Sequence, residues 1–505
     1  MAYNVVAQGH VWPFLYIVWG PVLFAGVDMP STVIIATIVT AALSVTYYLF
    51  STSMPRSGGD FVWVSRSLHP LIAFTSSLLF AIIMMSFLGI IGGWVVDPAL
   101  RSVLVVWGVL TSNAAMVTQV SALLTPTNLF IVSSIVVLLA CVLNLIPTKT
   151  MIRILWACFI IGLMGVLAFS GAMIAVGHEG FVARFNQLSG ANYLEIIHSA
   201  QSAGYFTGFA VFATILGTMY AFQNFLGFAY SIYLGGEVKE VNRSQAIGIF
   251  GSTIVLGLVT WAVYKIAYVV MGSDFMHSAA YLAMTGNGAW TLPMIPYLSY
   301  MVAFATDNPL LGILPGIGLM AAAFGGCVVL VSMSTRMIFA YSFDRILPTR
   351  MADVDDRFHV PRNAVGLVFV IAIFFVYLAY FTPVLSYYAY SSIGLWIPQI
   401  IIGVAAMVFP YRRKDILEKA PSFVQKKIGG IPILAVFGAI TTIVSTFNAI
   451  VPVMPLYTGA PINPIYISAI LVTILPGPII YAIAYLYNRR MGIDMTMGFR
   501  ELPPA

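Results

Sequence analysis

Charge is what this sequence has least of. Asp, Glu, Lys and Arg together make 8% of its 505 residues, against about 25% in soluble globular domains. With 60% hydrophobic residues, the chain cannot clothe a water-facing surface, so lipid has to serve as its solvent. Cysteine is nearly missing too: Cys141, Cys158 and Cys327 all fall in apolar runs, and an odd number argues against a disulfide framework. No metal-ligand spacing such as His-Glu-x-x-His occurs, and no paired carboxylates stand within an apolar run, which disfavours an intramembrane enzyme. The largest polar segments, 178–206, 343–362 and 411–429, are too short for an independent core, so no catalytic or signalling domain is expected and a membrane sensor is disfavoured. A net charge of +6 comes without the basic patch that nucleic acid requires. Residues 1–26 lack a basic opening segment, so no cleavable signal peptide is expected.

What remains is a series of long, continuously apolar runs rich in Leu, Ile, Ala and Met, unlike the alternating strands of a membrane β-barrel. They predict an all-α integral membrane fold of about 12 transmembrane helices, each of roughly 20 residues. The spans fall at 3–26, 31–54, 70–95, 127–146, 151–177, 207–234, 245–272, 311–342, 363–384, 386–410, 430–454 and 463–487. Two segments are set apart: 98–112 as an outer interfacial helix, and 278–305 as an outer re-entrant or surface segment. With the N-terminus inside, the loop Lys and Arg residues from Arg56 and Arg66 to Arg489 and Arg490 lie on the cytoplasmic side, and only Arg101 and Arg184 lie outside. This skew predicts a multi-pass cell-membrane protein with both termini cytoplasmic.

A permeating solute needs polar contacts at mid-membrane, and an interrupted helix supplies them by freeing backbone N–H and C=O groups. Two interruptions stand out: Val6-Ala7-Gln8-Gly9-His10-Val11-Trp12-Pro13 in span 1, and Tyr220-Ala221-Phe222-Gln223-Asn224-Phe225-Leu226-Gly227-Phe228 in span 6. Either one alone reads equally as a proline kink or as polar packing glue. Their placement in the first and sixth spans favours paired breaks of two repeats around a binding site. Helix N-termini suit a carboxylate, and freed carbonyls suit an ammonium group or a cation. Trp12, Phe222, Phe225 and Phe228 then offer apolar walls or gates. No continuous polar stripe of the kind a channel needs is present.

Four segments carry a family likeness. Pro55-Arg56-Ser57-Gly58-Gly59-Asp60-Phe61, running on to Ser65-Arg66-Ser67-Leu68-His69-Pro70, resembles the loop between spans 2 and 3 of amino-acid permeases of the amino acid–polyamine–organocation superfamily. Gly236-Glu237-Val238-Lys239 with Asn242-Arg243-Ser244-Gln245 is similar to their segment after span 6. Ser334-Thr335-Arg336-Met337 through Asp344-Arg345-Ile346-Leu347-Pro348 resembles the end of their span 8, and Val360-Pro361 follows where span 9 opens. The resemblance implies a five-plus-five inverted repeat with discontinuous helices 1 and 6, a core over 1–410, and two further helices with a short tail over 411–505. It implies alternating access and an amino acid or related amine as substrate, with another small nitrogenous solute as the alternative. By position, the carboxylate-binding turn falls on Ala7, Gln8, Gly9 and His10, and the amine-binding turn on Phe222, Gln223, Asn224, Phe225 and Leu226, with Gly227 matching a usual glycine. The family's Gly-Ser/Ala-Gly turn in span 1 is reduced here to Gly9.

No cofactor is implied, and coupling to H+ or Na+ stays open. Lys265, the only basic residue well within a span, either snorkels to the interface or titrates in a proton path. His10 is a candidate proton site or substrate contact. Ser332, Ser334 and Thr335 are candidate sodium oxygens or simply bond their own helix. Arg56, Asp60, Arg66, Glu237, Arg336 and Asp344 lie near span ends, where some are expected to pair as an inner gate. The sequence does not indicate an oligomeric state.

Overall fold

The computed structural model describes residues 1–355, 360–383, 391–453 and 464–499. It is 80% helical, and among the described residues the only sheet is a two-stranded ribbon pairing Lys427–Ile428 with Ile431–Pro432. Eleven helices among those residues are long and apolar enough to cross a membrane. They correspond to predicted spans 2 to 12, although residues 384–390 and 454–463, on which parts of spans 9 to 12 were expected, lie outside the described residues. Span 1 precedes them as two short helices, Ala2–Gln8 and Pro13–Leu23.

The outer surface shows what the solvent is. In span 4, Pro126–Leu143, the side chains of Ile131, Ile135, Leu138 and Leu139 are each 46–50% exposed along one helix face. A water-soluble protein would cover such a stripe; a bilayer welcomes it. With lipid as apolar as leucine, the helices associate through close packing of small residues instead. Span 5, Thr148–Leu188, meets span 8, Pro309–Phe343, at Gly162, Gly165 and Gly318. A Cβ on Gly165 would lie 2.8 Å from the Leu314 carbonyl oxygen. Span 10 and span 11, Ile433–Ile450, cross at Gly403 and Gly438, where a Cβ on either would come within 2.8 Å of the other's carbonyl oxygen. Span 11 also reaches span 2, Met29–Ser53, through a Thr46–Thr441 hydroxyl pair at 2.9 Å.

Both segments set apart in sequence are ordered and packed on the bundle. Residues 98–112 continue span 3 beyond Trp94: a bend at Asp97 (φ −122°, ψ 111°) leads into the helix Arg101–Leu110, whose Val105 and Val106 are buried. Segment 278–305 is a surface segment whose two ends are packed down, joined by an exposed connection around residues 284–293. The helix Ser273–Met284 and the turn Leu298–Phe304 are packed over the second helix of span 1, Pro13–Leu23, with Phe275, Leu282, Leu298 and Tyr300 at most 1% exposed. Their apolar residues cap the bundle, which composition alone did not reveal because glycine and proline interrupt them. The polar stretch after residue 177 is helical too, as span 5 turns at Gly177 (φ +64°) and runs on to Leu188.

Candidate functional site

Span 1 breaks for local reasons. Gly9 adopts φ +67°, a left-handed conformation that only glycine takes freely, and its N–H closes the first helix on Val5 and Val6. Pro13 then opens the second helix at a position where a missing N–H costs nothing. The Trp12 indole folds back over Gly9 so closely that a Cβ there would overlap it. Span 6 changes differently. Its α-helix, Val211–Phe225, tightens into a 3-10 helix over Leu226–Glu237 without an unwound gap. The predicted discontinuity is therefore a change of helical pitch, which leaves fewer free carbonyls than an open turn.

The first helix of span 1 and the 3-10 half of span 6 are tied together. Asn4 Nδ2 donates to the carbonyls of Phe228 (2.7 Å) and Gly248 (2.9 Å), while its Oδ1 accepts the Ser231 N–H at 2.8 Å. The amide is fully buried, so each bond replaces one that water would otherwise make.

Between the break and the pitch change lies a cavity of about 90 Å³. Span 1 contributes Ala7, Trp12 and Tyr16; span 6 contributes Gln223, Leu226, Gly227 and Tyr230. Span 3 supplies the apolar wall of Met84, Phe87, Ile90, Ile91 and Trp94, and span 8 adds Gly326 and Leu330. Trp12 and Trp94 meet edge to face, with centroids 5.0 Å apart. Among the described residues, no Asp, Glu, Lys or Arg lines the cavity. Its polar groups are hydroxyls, the Gln223 amide, indole N–H and backbone. The cavity is smaller than the apolar void of about 150 Å³ that accepts benzene, so its occupant in this conformation has to be small.

The predicted residues divide cleanly. Ala7, Trp12, Gln223 and Gly227 line the cavity, and Gly9 makes the break. His10 does not line it: its fully buried ring lies 5.0 Å from Phe159 and against Gly162 of span 5. Asn224 turns to Thr260 of span 7 (3.3 Å), Phe222 to Trp396 of span 10 (6.1 Å), and Phe228 to Tyr47 of span 2 (5.0 Å). Phe225 is buried away from the cavity. Gln8 ends the first helix, and its side chain lies outside the described part. Lys265 points off the bundle, exposed on span 7, Val241–Met271, far from any role in the cavity. The Thr335 hydroxyl bonds its own helix at Val331 (2.7 Å). Ser332 lies beside the Tyr3 hydroxyl, and neither it nor Ser334 reaches the cavity. Among the described residues no cluster of three or more His, Cys, Asp or Glu side chains is placed to hold a metal.

The span-end charges do pair. Arg336 grips Glu237 with two bonds of 2.8 and 3.2 Å, and the Thr148 hydroxyl donates to the same carboxylate at 2.8 Å, joining spans 5, 6 and 8. Arg66 grips Asp344 at 2.8 and 3.2 Å, and Phe499 covers its guanidinium at 5.1 Å. Arg56 instead donates to the Pro55 carbonyl. Asp60 is buried without an ionic partner among the described residues.

A bundle of lipid-facing helices around a small uncharged cavity at a broken first span is the architecture of an integral membrane transporter. Over residues 9–475 the chain matches the family model for amino acid permeases. It belongs to that family, within the amino acid–polyamine–organocation superfamily. No curated protein gives a significant match to the chain.

Proposed function

We propose that this permease is a secondary active transporter of a small amino acid or related amine, working by alternating access about the cavity between spans 1 and 6. The observation that carries this reading is the cavity itself, which places the span-1 break against the span-6 pitch change and contains no charged side chain. A zwitterion suits such a site, because backbone N–H and C=O groups can meet its two charges without a net-charged side chain. The apolar wall of Met84, Ile90, Ile91 and Leu330 favours a small aliphatic substituent over a charged one. The Lys and Arg content of residues 54–69, 237–247 and 343–350 supports a cytoplasmic position for these loops and for both termini.

Uptake of a radiolabelled amino-acid mixture into liposomes holding the purified protein tests this. Competition by small neutral amino acids is expected, and a protein that is folded yet transports none of the mixture would overturn the reading. A sharper test is Gly326→Leu. A Cβ at Gly326 meets only Trp12 and Ile91, at 3.7 and 3.8 Å, so added atoms enter the cavity. The variant should insert and fold, with an overpacking cost of about 1–3 kcal/mol, and lose transport. Normal uptake by Gly326→Leu would place the substrate elsewhere.

A further inference from the structure

Beneath the central cavity is a second one, of about 10 Å³, room for roughly one water. Leu226 and Tyr230 line both, so a single layer of side chains divides them. The lower cavity is also lined by Tyr47 of span 2, Tyr233 of span 6, Gln399 of span 10 and Asp60, the first residue of the loop helix Asp60–Ser67. Asp60 is 2% exposed, and its Oδ1 has no hydrogen-bond partner. Two other acids at this end of the core, Glu237 and Asp344, are by contrast held by arginines.

The groups that face Asp60 are hydroxyls. Tyr47 comes from span 2, Ser77 from span 3, Tyr233 from span 6 and Tyr341 from span 8. On its own helix the one cation, Arg66, is engaged by Asp344. Burial raises the Asp60 pKa from 3.8 to about 6, against the opposing pull of the Tyr233 and Ser77 hydroxyls and nearby backbone N–H groups. An ionised carboxylate so placed is costly, and a void of one water cannot admit an amino acid to neutralise it. A proton can.

We propose that Asp60 is a proton-binding site one side-chain layer below the substrate cavity, occupied while this end of the bundle is sealed and vacated when it opens. The proposal rests on the transporter reading. The proton arrives from water in the central cavity across the Tyr230 layer and forms the carboxyl O–H bond. When spans 1 and 6 withdraw and water reaches Asp60, its acidity returns toward the ordinary carboxylate range, and that O–H bond breaks to bulk water. Each cycle so moves one proton in the direction of the substrate.

Infrared difference spectroscopy of the full chain in nanodiscs, swept from acid to neutral pH, reads the carboxyl directly. A protonated-carboxyl band that titrates with a midpoint near 6 and vanishes in Asp60→Asn is expected. Asp60→Glu should keep a titrating band with a displaced midpoint, which serves if Asp60→Asn does not fold. In proteoliposomes carrying a lumenal pH dye and supplied with the amino-acid mixture, the wild type should acidify with uptake, and Asp60→Asn should lose stimulation by a pH gradient. A band unaltered in Asp60→Asn, a band that follows sodium and not pH, or full gradient stimulation in Asp60→Asn would each overturn the proposal. If no amino acid is transported by the wild type, the transporter reading fails while the band still decides the proton site.

Discussion

At the end that carries loop 54–69, charges close the bundle, whereas at the opposite end aromatic rings and hydroxyl-to-carbonyl bonds do. The charged end holds Arg66–Asp344 and Arg336–Glu237, with Asn488 donating to the Arg345 carbonyl at 3.1 Å. The aromatic end stacks Tyr193 on Phe275 and Tyr205 on Tyr281, each at 4.5 Å. There Tyr193 donates to the Met271 carbonyl at 2.8 Å, and Tyr205 to that of Pro21 at 2.7 Å. The difference teaches how each seal fails. Ring packing is stabilised by area and tolerates small displacements. A buried ion pair depends on both partners being charged and in register, so changing one charge undoes it. The charged end is built as a switch, the aromatic end as a cap.

The largest effect should come from breaking one buried pair. The Arg66 and Asp344 side chains are 0% and 7% exposed, and burial pushes the Asp344 carboxyl up despite the guanidinium beside it. Asp344→Asn removes the carboxylate charge that Arg66 grips with two bonds, and a loss of about 3–5 kcal/mol is expected, read as a lower unfolding temperature in detergent. The paired replacement Arg66→Met with Asp344→Leu should recover most of that loss, since apolar residues avoid the desolvation cost. Equal destabilisation by the single and paired variants would mean the end is held by something other than the pair.

How far the sequence foretold this arrangement depends on where polar residues interrupt apolar ones. The span-1 break was legible because Gly9 and Pro13 have few other uses in a helix. The ion pairs Arg66–Asp344 and Arg336–Glu237 were legible as charges at span ends. The cavity wall was not: Met84, Phe87, Ile91 and Trp94 sit in a continuous apolar run, where the lipid face and the cavity face have the same composition. In span 6 the consecutive residues Phe222 to Gly227 read as the binding turn, yet a helix presents only part of such a run in one direction. The lining residues Gln223, Leu226, Gly227 and Tyr230 follow i, i+3, i+4, i+7 spacing, a stripe that the sequence does contain.

Acid should act with opposite sign on one buried group at each end, His277 and Asp60. His277, 3% exposed at the aromatic end and bonded to the Tyr268 hydroxyl at 2.6 Å, has its pKa pulled by burial from 6.5 to about 4. The fold buries the neutral ring, so its stabilisation is complete above 6.5 and is lost as pH falls toward about 4, about 3 kcal/mol in all. Asp60 runs the other way, as its raised value makes burial costly above about 6 and free of that cost below 3.8. Unfolding temperatures measured against pH should fall at the acid limb in the wild type and flatten there in His277→Phe. An unchanged acid limb in His277→Phe would remove the histidine from the cap's pH response.

A single hydroxyl measures the cap more gently. Tyr205→Phe keeps the ring stacked on Tyr281 and deletes only the bond to the Pro21 carbonyl. A loss of about 1 kcal/mol is expected, well below that of Asp344→Asn. If the two variants cost the same, the contrast between switch and cap does not hold.

The smallest effect tests the same contrast within one kind of interaction. Arg184–Asp307 is short, 2.6 Å, yet it stands at the aromatic end with its carboxylate side chain 90% exposed. Water already solvates Asp307, so the pair gains little over its separated partners and is screened by salt. Asp307→Ala should shift stability by less than about 1 kcal/mol, and that shift should vanish as ionic strength rises. Asp344→Asn, whose partner is out of reach of solvent ions, should be indifferent to salt. Salt dependence, more than bond length, is therefore the measurement that separates a charge pair that holds the bundle from one that only decorates it.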